Sequence, residues 1–224
     1  MYVGWQNAMA LILFLVGSCL SQYKNGFDQT VAELRVQEIL SRAQLSGSLE
    51  YWGCCDGSKP RAEFPRLRSV SGHEGSARDV LREMFAEDTK MQVTQDSDGR
   101  IRMVETDVPK DFLEVKIHHF SFPRDYRSGS GSMAVYTLLN TPEVIEFMTR
   151  NIGRGVPWEG WGMPGQIPPY GPRVIGPRVI GELNDVTVAR ALDYIAHAFT
   201  GFWTYQNCYT AEGARKISVG FRGN

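Results

Sequence analysis

The chain reads as an α+β protein of two small βαββ-like helix-on-sheet units joined through a long Gly/Pro-rich loop. Three observations predict this. Asn184 to Phe221 runs as an amphipathic stretch, a Gly break, and two short alternating stretches with a polar turn between them. Ser69 to Glu105 repeats that pattern of apolar positions. Gly153 to Gly181 is dense in Gly and Pro and shows no regular period.

Composition narrows the classes. A chain of 224 residues holds one large domain or two small ones. The formal charge of −1 offers no electrostatic attraction for nucleic acid. A 42% hydrophobic content is enough for a core, while 23 Gly and 11 Pro call for long irregular segments. Four Cys in a chain this long are not a disulfide scaffold.

Taking the chain in order, Ala8 to Gly17 is an almost unbroken apolar run, shorter than the about 20 residues that span a bilayer. Small residues follow at Gly17, Ser18 and Cys19, and the chain then turns polar, so residues 1–21 have the form of an export signal. Met1 to Asn7 holds no Lys or Arg, which leaves the α-amino group as the only positive charge there. The competing reading is a buried N-terminal helix. Two cleavage positions compete as well. Val16-Gly17-Ser18-Cys19 is similar to the lipobox of bacterial lipoproteins, with Cys19 as the lipidated residue, and the other position follows Ser21. Export implies the periplasm or cell envelope and an oxidising compartment. There Cys54, Cys55 and Cys208 are an odd set. Adjacent cysteines bridge each other only with strain, so one of Cys54 and Cys55 is expected to pair with Cys208. Three reduced thiols are the alternative.

Residues 22–68 hold a helix and a Cys-containing loop. Asn25 to Gln44 is expected to be helical, with Val31, Leu34, Val36, Ile39 and Leu40 facing inward, Glu33, Arg35, Glu38 and Arg42 solvated, and Asp28 or Thr30 as the cap. A short strand around Leu49 to Trp52 precedes the loop. Residues 69–132 carry the first unit and an extra strand. Ser76 or Gly75 starts a helix with Val80, Leu81, Met84 and Phe85 inward. Met91 and Val93 alternate with polar neighbours, Asp96-Ser97-Asp98-Gly99 turns the chain, and Ile101 and Met103 return with Arg100 and Arg102 outward. Phe112 to Phe122 alternates as a strand, and Arg124 to Ser132 is a Gly/Ser linker. Residues 133–182 begin with a short strand, Met133 to Leu139. Thr141-Pro142-Glu143 then opens a helix that runs through Arg150. The Gly/Pro-rich loop follows, with Trp158, Trp161 and Tyr170 and a tandem Gly-Pro-Arg-Val-Ile repeat (Gly171 to Ile180). Residues 183–224 form the second unit. Val188, Leu192, Ile195 and Phe199 make the helix stripe, and Asp185 is its expected cap. Trp203/Tyr205 and Ile217/Val219 form the strand pairs.

At Leu183-Asn184-Asp185-Val186-Thr187-Val188-Ala189-Arg190-Ala191-Leu192 and those apolar pairs, the chain resembles the short N-terminal (STN-like) domains of secretins and TonB-dependent receptors. The resemblance covers about a third of the chain. It implies a strand leading into the helix, paired strands carrying the helix on one face, and a role in periplasmic protein–protein contact without catalysis.

Chemical motifs are sparse. There is no phosphate-binding Gly loop, zinc-type Cys spacing or HExxH, and no metal or cofactor is expected. His118-His119 is the most chemical pair, but neighbouring strand residues point to opposite faces and cannot share one metal. His118 shares a face with Glu114, which makes these two the candidate acid–base residues. His73 falls in a loop, and His197 is expected to be partly buried on its helix. The leading expectation is an exported, non-enzymatic envelope protein that binds another protein, with lipid on Cys19 as a membrane tether. Two alternatives stand beside it: a small secreted enzyme with a site near His118 and Glu114, and a carbohydrate- or peptidoglycan-binding module using Trp158, Trp161 and Tyr170. An assembly protein should show an exposed sheet edge or apolar patch; an enzyme should show a cleft where His118 meets a second acid or base.

Overall fold

The computed structural model describes residues 31–52, 75–121, 131–152, 181–209 and 214–223. The export signal with Cys19, the Asp28 and Thr30 caps, Cys54, Cys55, His73, most of the Gly/Ser linker, and the loop with Trp158, Trp161, Tyr170 and the tandem repeat lie outside the described residues.

The fold is α+β. Helix α1 covers 31–43. It is followed by β1 (Gly47–Trp52), α2 (Ala77–Met84), β2 (Met91–Gln95), β3 (Ile101–Glu105) and β4 (Lys116–Ser121). Next come α3 (Gly131–Leu139), α4 (Pro142–Asn151), β5 (Glu182–Thr187), α5 (Val188–Ala198), β6 (Gly201–Tyr209) and β7 (Arg215–Gly223). Five strands form one mixed sheet in the order β2-β3-β1-β6-β7, and β4 and β5 form a separate antiparallel ribbon. The central strand β1 runs parallel to both β3 and β6. It joins the strand pairs of the two helix–strand–strand units into one sheet.

Both faces of that sheet are covered. On one, Leu49, Tyr51, Met91, Val93, Ile101, Met103 and Phe202 pack against Ala32, Val36 and Leu40 of α1 and Leu81, Met84 and Phe85 beside α2. On the other, Trp203, Tyr205, Ile217 and Val219 pack against α5, α3 and the ribbon, through Leu192, Ile195, Leu138, Ile117 and Phe120. The helices of the two similar units therefore sit on opposite faces of a shared sheet.

Local chemistry sets most element boundaries. Ser76 caps α2, its Oγ accepting the Asp79 N–H at 3.2 Å. Gly99 takes φ 81°, a left-handed value that suits the residue closing the β2–β3 turn. Asp96 Oδ1 holds that turn by accepting the N–H groups of Asp98 and Arg100 at 3.0 Å each. Helix α4 begins as its sequence implies, with Pro142 in the first turn, but the Thr141 hydroxyl donates backward to the Leu138 carbonyl (2.8 Å) and makes no cap.

Several expectations are corrected. Met133–Leu139 lies in helix α3, not in a strand, because Ala134, Val135, Leu138 and Leu139 bury together at helical spacing. The strand expected from Phe112 begins only at Lys116; residues before it form a turn, with the Glu114 N–H bonded to the Lys110 carbonyl at 3.0 Å. Leu34 is 50% exposed while Glu33 is buried, because α1 meets the sheet through Ala32, Val36 and Leu40. The Glu33 carboxylate accepts from Tyr51 Oη (3.0 Å) and Arg222 Nε (2.7 Å), tying α1 to β1 and β7. Thr187, not Asp185, caps α5, its Oγ1 accepting the Arg190 N–H at 3.2 Å. The first two N–H groups of α5, from Val188 and Ala189, donate to the carbonyls of Val115 (2.9 Å) and Leu113 (3.0 Å). His197 is exposed in the last turn of α5.

Candidate functional site

The histidine pair stands on the β4–β5 ribbon. His118 Nδ1 lies 3.0 Å from Asp185 Oδ1, and His119 Nδ1 lies 3.0 Å from Asn184 Oδ1. Each histidine thus has its own cross-strand partner, and the two do not converge. Asp185 adopts φ 52°, so its side chain serves the ribbon and not the helix that follows. Glu143, at the start of α4, accepts the His118 backbone N–H at 3.0 Å. Its other oxygen is buried and has no hydrogen-bond partner among the described residues. Glu114, the expected partner of His118, sits in the turn before β4 and not on the strand. The carboxylates that meet His118 are Asp185 and Glu143, brought in from β5 and α4. The His118 and Asp185 side chains are 75% and 77% exposed. Open water surrounds them, and a hydrogen-bonded pair in water gains little electrostatically.

The strongest electrostatics lie between the two units. Arg102 on β3 turns onto the covered face of the sheet and bonds Asp193 of α5, where an outward Arg102 was expected. The same Asp193 carboxylate accepts the Trp203 indole N–H at 3.0 Å, and Arg100 stands 4.0 Å away. Arg102 also lies 3.6 Å from Glu50 of β1, whose other contact is the Ser48 hydroxyl at 3.0 Å. Arg190 of α5 reaches Asp98 in the β2–β3 turn at 3.6 Å. Burial holds Glu50 above its usual carboxylate range, and Ser48, Lys110 and Arg102 only partly offset it. Burial acts the same way on Asp96, but there the hydrogen bonds and charge of Arg100 win and hold the carboxyl low. Removing one partner of the Arg102–Asp193 pair costs about 3–5 kcal/mol, so that pair clamps β3 of the first unit against the second unit's helix.

A second tie fixes the segment after β3. Arg215 binds Asp111 in bidentate fashion, both distances 2.6 Å, and donates to Asn207 at 3.1 Å. Asn207 donates to the Tyr205 hydroxyl (2.9 Å), which donates to the Pro109 carbonyl (2.8 Å), and Phe112 stacks on the Tyr205 ring. Burial pushes the Tyr205 hydroxyl up to about 12, so it remains a donor at neutral pH.

Cys208 on β6 is buried and disulfide-bonded, with its partner outside the described residues. The β1–β6 register sets Trp52 opposite Asn207, so the chain leaves β1 beside Cys208 with Gly53, Cys54 and Cys55 next in sequence.

The surface feature that remains is the β2 edge. Strand β2 pairs with β3 on one side and, among the described residues, ends the sheet on the other. Gln92, Thr94 and Gln95 are exposed, and the strand contains no charged residue and no Pro. The opposite edge strand, β7, carries Arg215, Lys216 and Arg222. Among the described residues, no three His, Cys, Asp or Glu side chains gather as a metal site, and no helix is long and apolar enough to cross a membrane. No protein-family model, curated protein or solved structure matches the chain.

Proposed function

We propose that this chain is a non-catalytic, protein-binding component of a bacterial cell envelope. The observation that carries the reading is the β2 edge, where the strand has no charged residue and the Val93 and Gln95 N–H groups have no hydrogen-bond partner among the described residues. Such an edge is a template for a further strand, and proteins that have no use for one blunt it with charge, Pro or a bulge. The ion pairs fit the same reading. Glu50, Arg102 and Asp193 join β1, β3 and α5, Glu33 and Arg222 join α1 and β7, and Asp111 and Arg215 join the segment after β3 to β7. Their role is to stiffen a scaffold behind the edge.

Export rests on the apolar run before Cys19, and lipid on that residue would hold the molecule at a membrane. The resemblance of the helix–strand–strand units to the short N-terminal domains of secretins and TonB-dependent receptors supports a contact role in the same compartment. The test is a photo-crosslinking residue at Gln92, compared with one at exposed Arg150 of α4, in the envelope fraction of the native host. A discrete adduct from Gln92 alone is expected, on a chain whose intact mass begins at Cys19 with lipid or at Gln22 without it. Equal labelling from both positions would sink the protein-binding reading, and a mass beginning at Met1 would sink the export reading.

A further inference from the structure

The hydrogen-bond pattern of the β2–β3 hairpin shows which groups the edge offers. The Thr106 N–H donates to the Lys90 carbonyl and the Asp96 N–H to the Arg100 carbonyl, each at 3.0 Å. Bonded pairs alternate along an antiparallel ladder, so Gln92 and Thr94 spend their backbone groups on β3 while Met91, Val93 and Gln95 turn theirs outward. Two outward groups are already engaged. The Met91 N–H meets the Asp88 carbonyl at 3.3 Å, and the Val93 carbonyl accepts from Arg82 at 3.4 Å. The N–H groups of Val93 and Gln95 and the carbonyls of Met91 and Gln95 have no hydrogen-bond partner among the described residues.

We propose that two copies of this chain pair antiparallel through β2, with Val93 on the two-fold axis. This rests on the protein-binding reading and names the partner. The outward parity allows that register: Val93 meets Val93, each N–H reaching a carbonyl that also accepts from Arg82, and Met91 meets Gln95, where the Met91 N–H has to leave the Asp88 carbonyl for the one on Gln95. Gln92 meets Thr94 between them, an uncharged and polar contact. At each end of the paired segment Lys90 of one copy stands opposite Asp96 of the other. Opposite charges directly across a strand pair are favourable, and a two-fold axis places one such pair at both ends. The exposed Lys90 ammonium, 3.3 Å from Asp107, can reach across without leaving a buried partner, and the Asp96 carboxylate, 23% exposed and already accepting from Arg100 at 2.8 Å, would take it as an added partner. Residues 91–95 themselves hold no charge that would meet its own copy, and the charge that approaches the axis is the Arg82 guanidinium on the Val93 carbonyl.

The test is sedimentation velocity of the full chain over a concentration series, with two double variants. Gln92 and Thr94 are both exposed, so substitutions there leave the core intact, and matched thermal melts check this. Q92K/T94K sets Lys against Lys at both symmetric contacts and is expected to weaken dimerisation by about tenfold or more. Q92K/T94E sets Lys against Glu and is expected to restore it. A wild-type chain that stays monomeric throughout overturns the proposal, as does a Q92K/T94K chain that dimerises as well as wild type. The underlying reading is separated by the Gln92 crosslinking experiment. A monomeric wild-type chain that still gives the Gln92 adduct removes the second copy and leaves protein binding at the edge in place. Loss of both dimer and adduct removes both.

Discussion

Glu50 sits where its charge is disfavoured. Burial raises its carboxyl above the ordinary value of 4.5, and the Ser48 hydroxyl and the nearby Lys110 and Arg102 charges only partly compensate. A raised carboxyl binds its proton more tightly in the folded chain than in the unfolded one. Its contribution to stability is therefore fully present below about pH 4.5 and is lost as pH rises through the folded value. Glu50→Gln removes the penalty of ionisation, so the variant should melt higher than wild type at pH 7. The gap should close as the pH falls toward 4.5. Thermal melts at stepped pH read this directly. An equal or lower melting temperature at pH 7 would mean that the pairing with Arg102 outweighs desolvation. Glu105 shifts in the same direction through burial, while Asp111 shifts the other way because Arg215 hydrogen-bonds to it. At this scale little was legible in advance. Strand alternation assigns Arg102 to a face and helical spacing assigns Glu33 to one, but neither says whether that face is covered.

Elements were more readable, because their causes are local. The helix at Ala77–Met84 starts at Ser76, one of the two starts its sequence offers, and the Asp96–Gly99 turn closes on a left-handed Gly. The strand expected at Met133–Leu139 failed because a short apolar run supports either structure. Ala134, Val135, Leu138 and Leu139 lie at helical spacing, but the segment is apolar on nearly every side, so that spacing does not stand out in the sequence. The cap of α5 failed for a longer-range reason. Asp185 is drawn to His118 across the ribbon, and carbonyls of Leu113 and Val115, far away in sequence, satisfy the helix start. Gly47 at the start of β1 shows how tightly elements can meet. A Cβ there would lie 2.3 Å from the Ile101 backbone carbonyl and 3.3 Å from Leu40, and backbone cannot move aside as a side chain does. Gly47→Ala should cost about 1–3 kcal/mol or more through overpacking, read as a lower denaturation midpoint with an unchanged slope. A midpoint within error of wild type would show that β1 and β3 can part to admit a methyl group.

Over the whole molecule, the central strand β1 and the Cys208 disulfide both tie the N-terminal half to the C-terminal unit. The parallel register brings Trp52 to Asn207, so the disulfide is expected to join Cys208 to Cys54 or Cys55 and to close a long loop. A non-reducing peptide map should show the Cys208 peptide linked to the peptide carrying that pair. A Cys208 peptide linked elsewhere would exclude the pairing. Cys208→Ser should cost about 2–5 kcal/mol by denaturant unfolding, since the cross-link restricts the unfolded chain.

The sequence by itself determined the α+β class, both helix–strand–strand units and the β2–β3 turn. Each depends on residues within a few turns or strand positions of one another, where 3.6- and 2-residue periods and cap chemistry act. Only the tertiary structure decided that the units share one sheet through β1, with their helices on opposite faces. It also decided that Arg102 meets Asp193, that His118 meets Asp185 instead of Glu114, and that β2 ends the sheet among the described residues. Those outcomes depend on which distant surfaces are buried together, and periodicity along a chain carries no record of that choice.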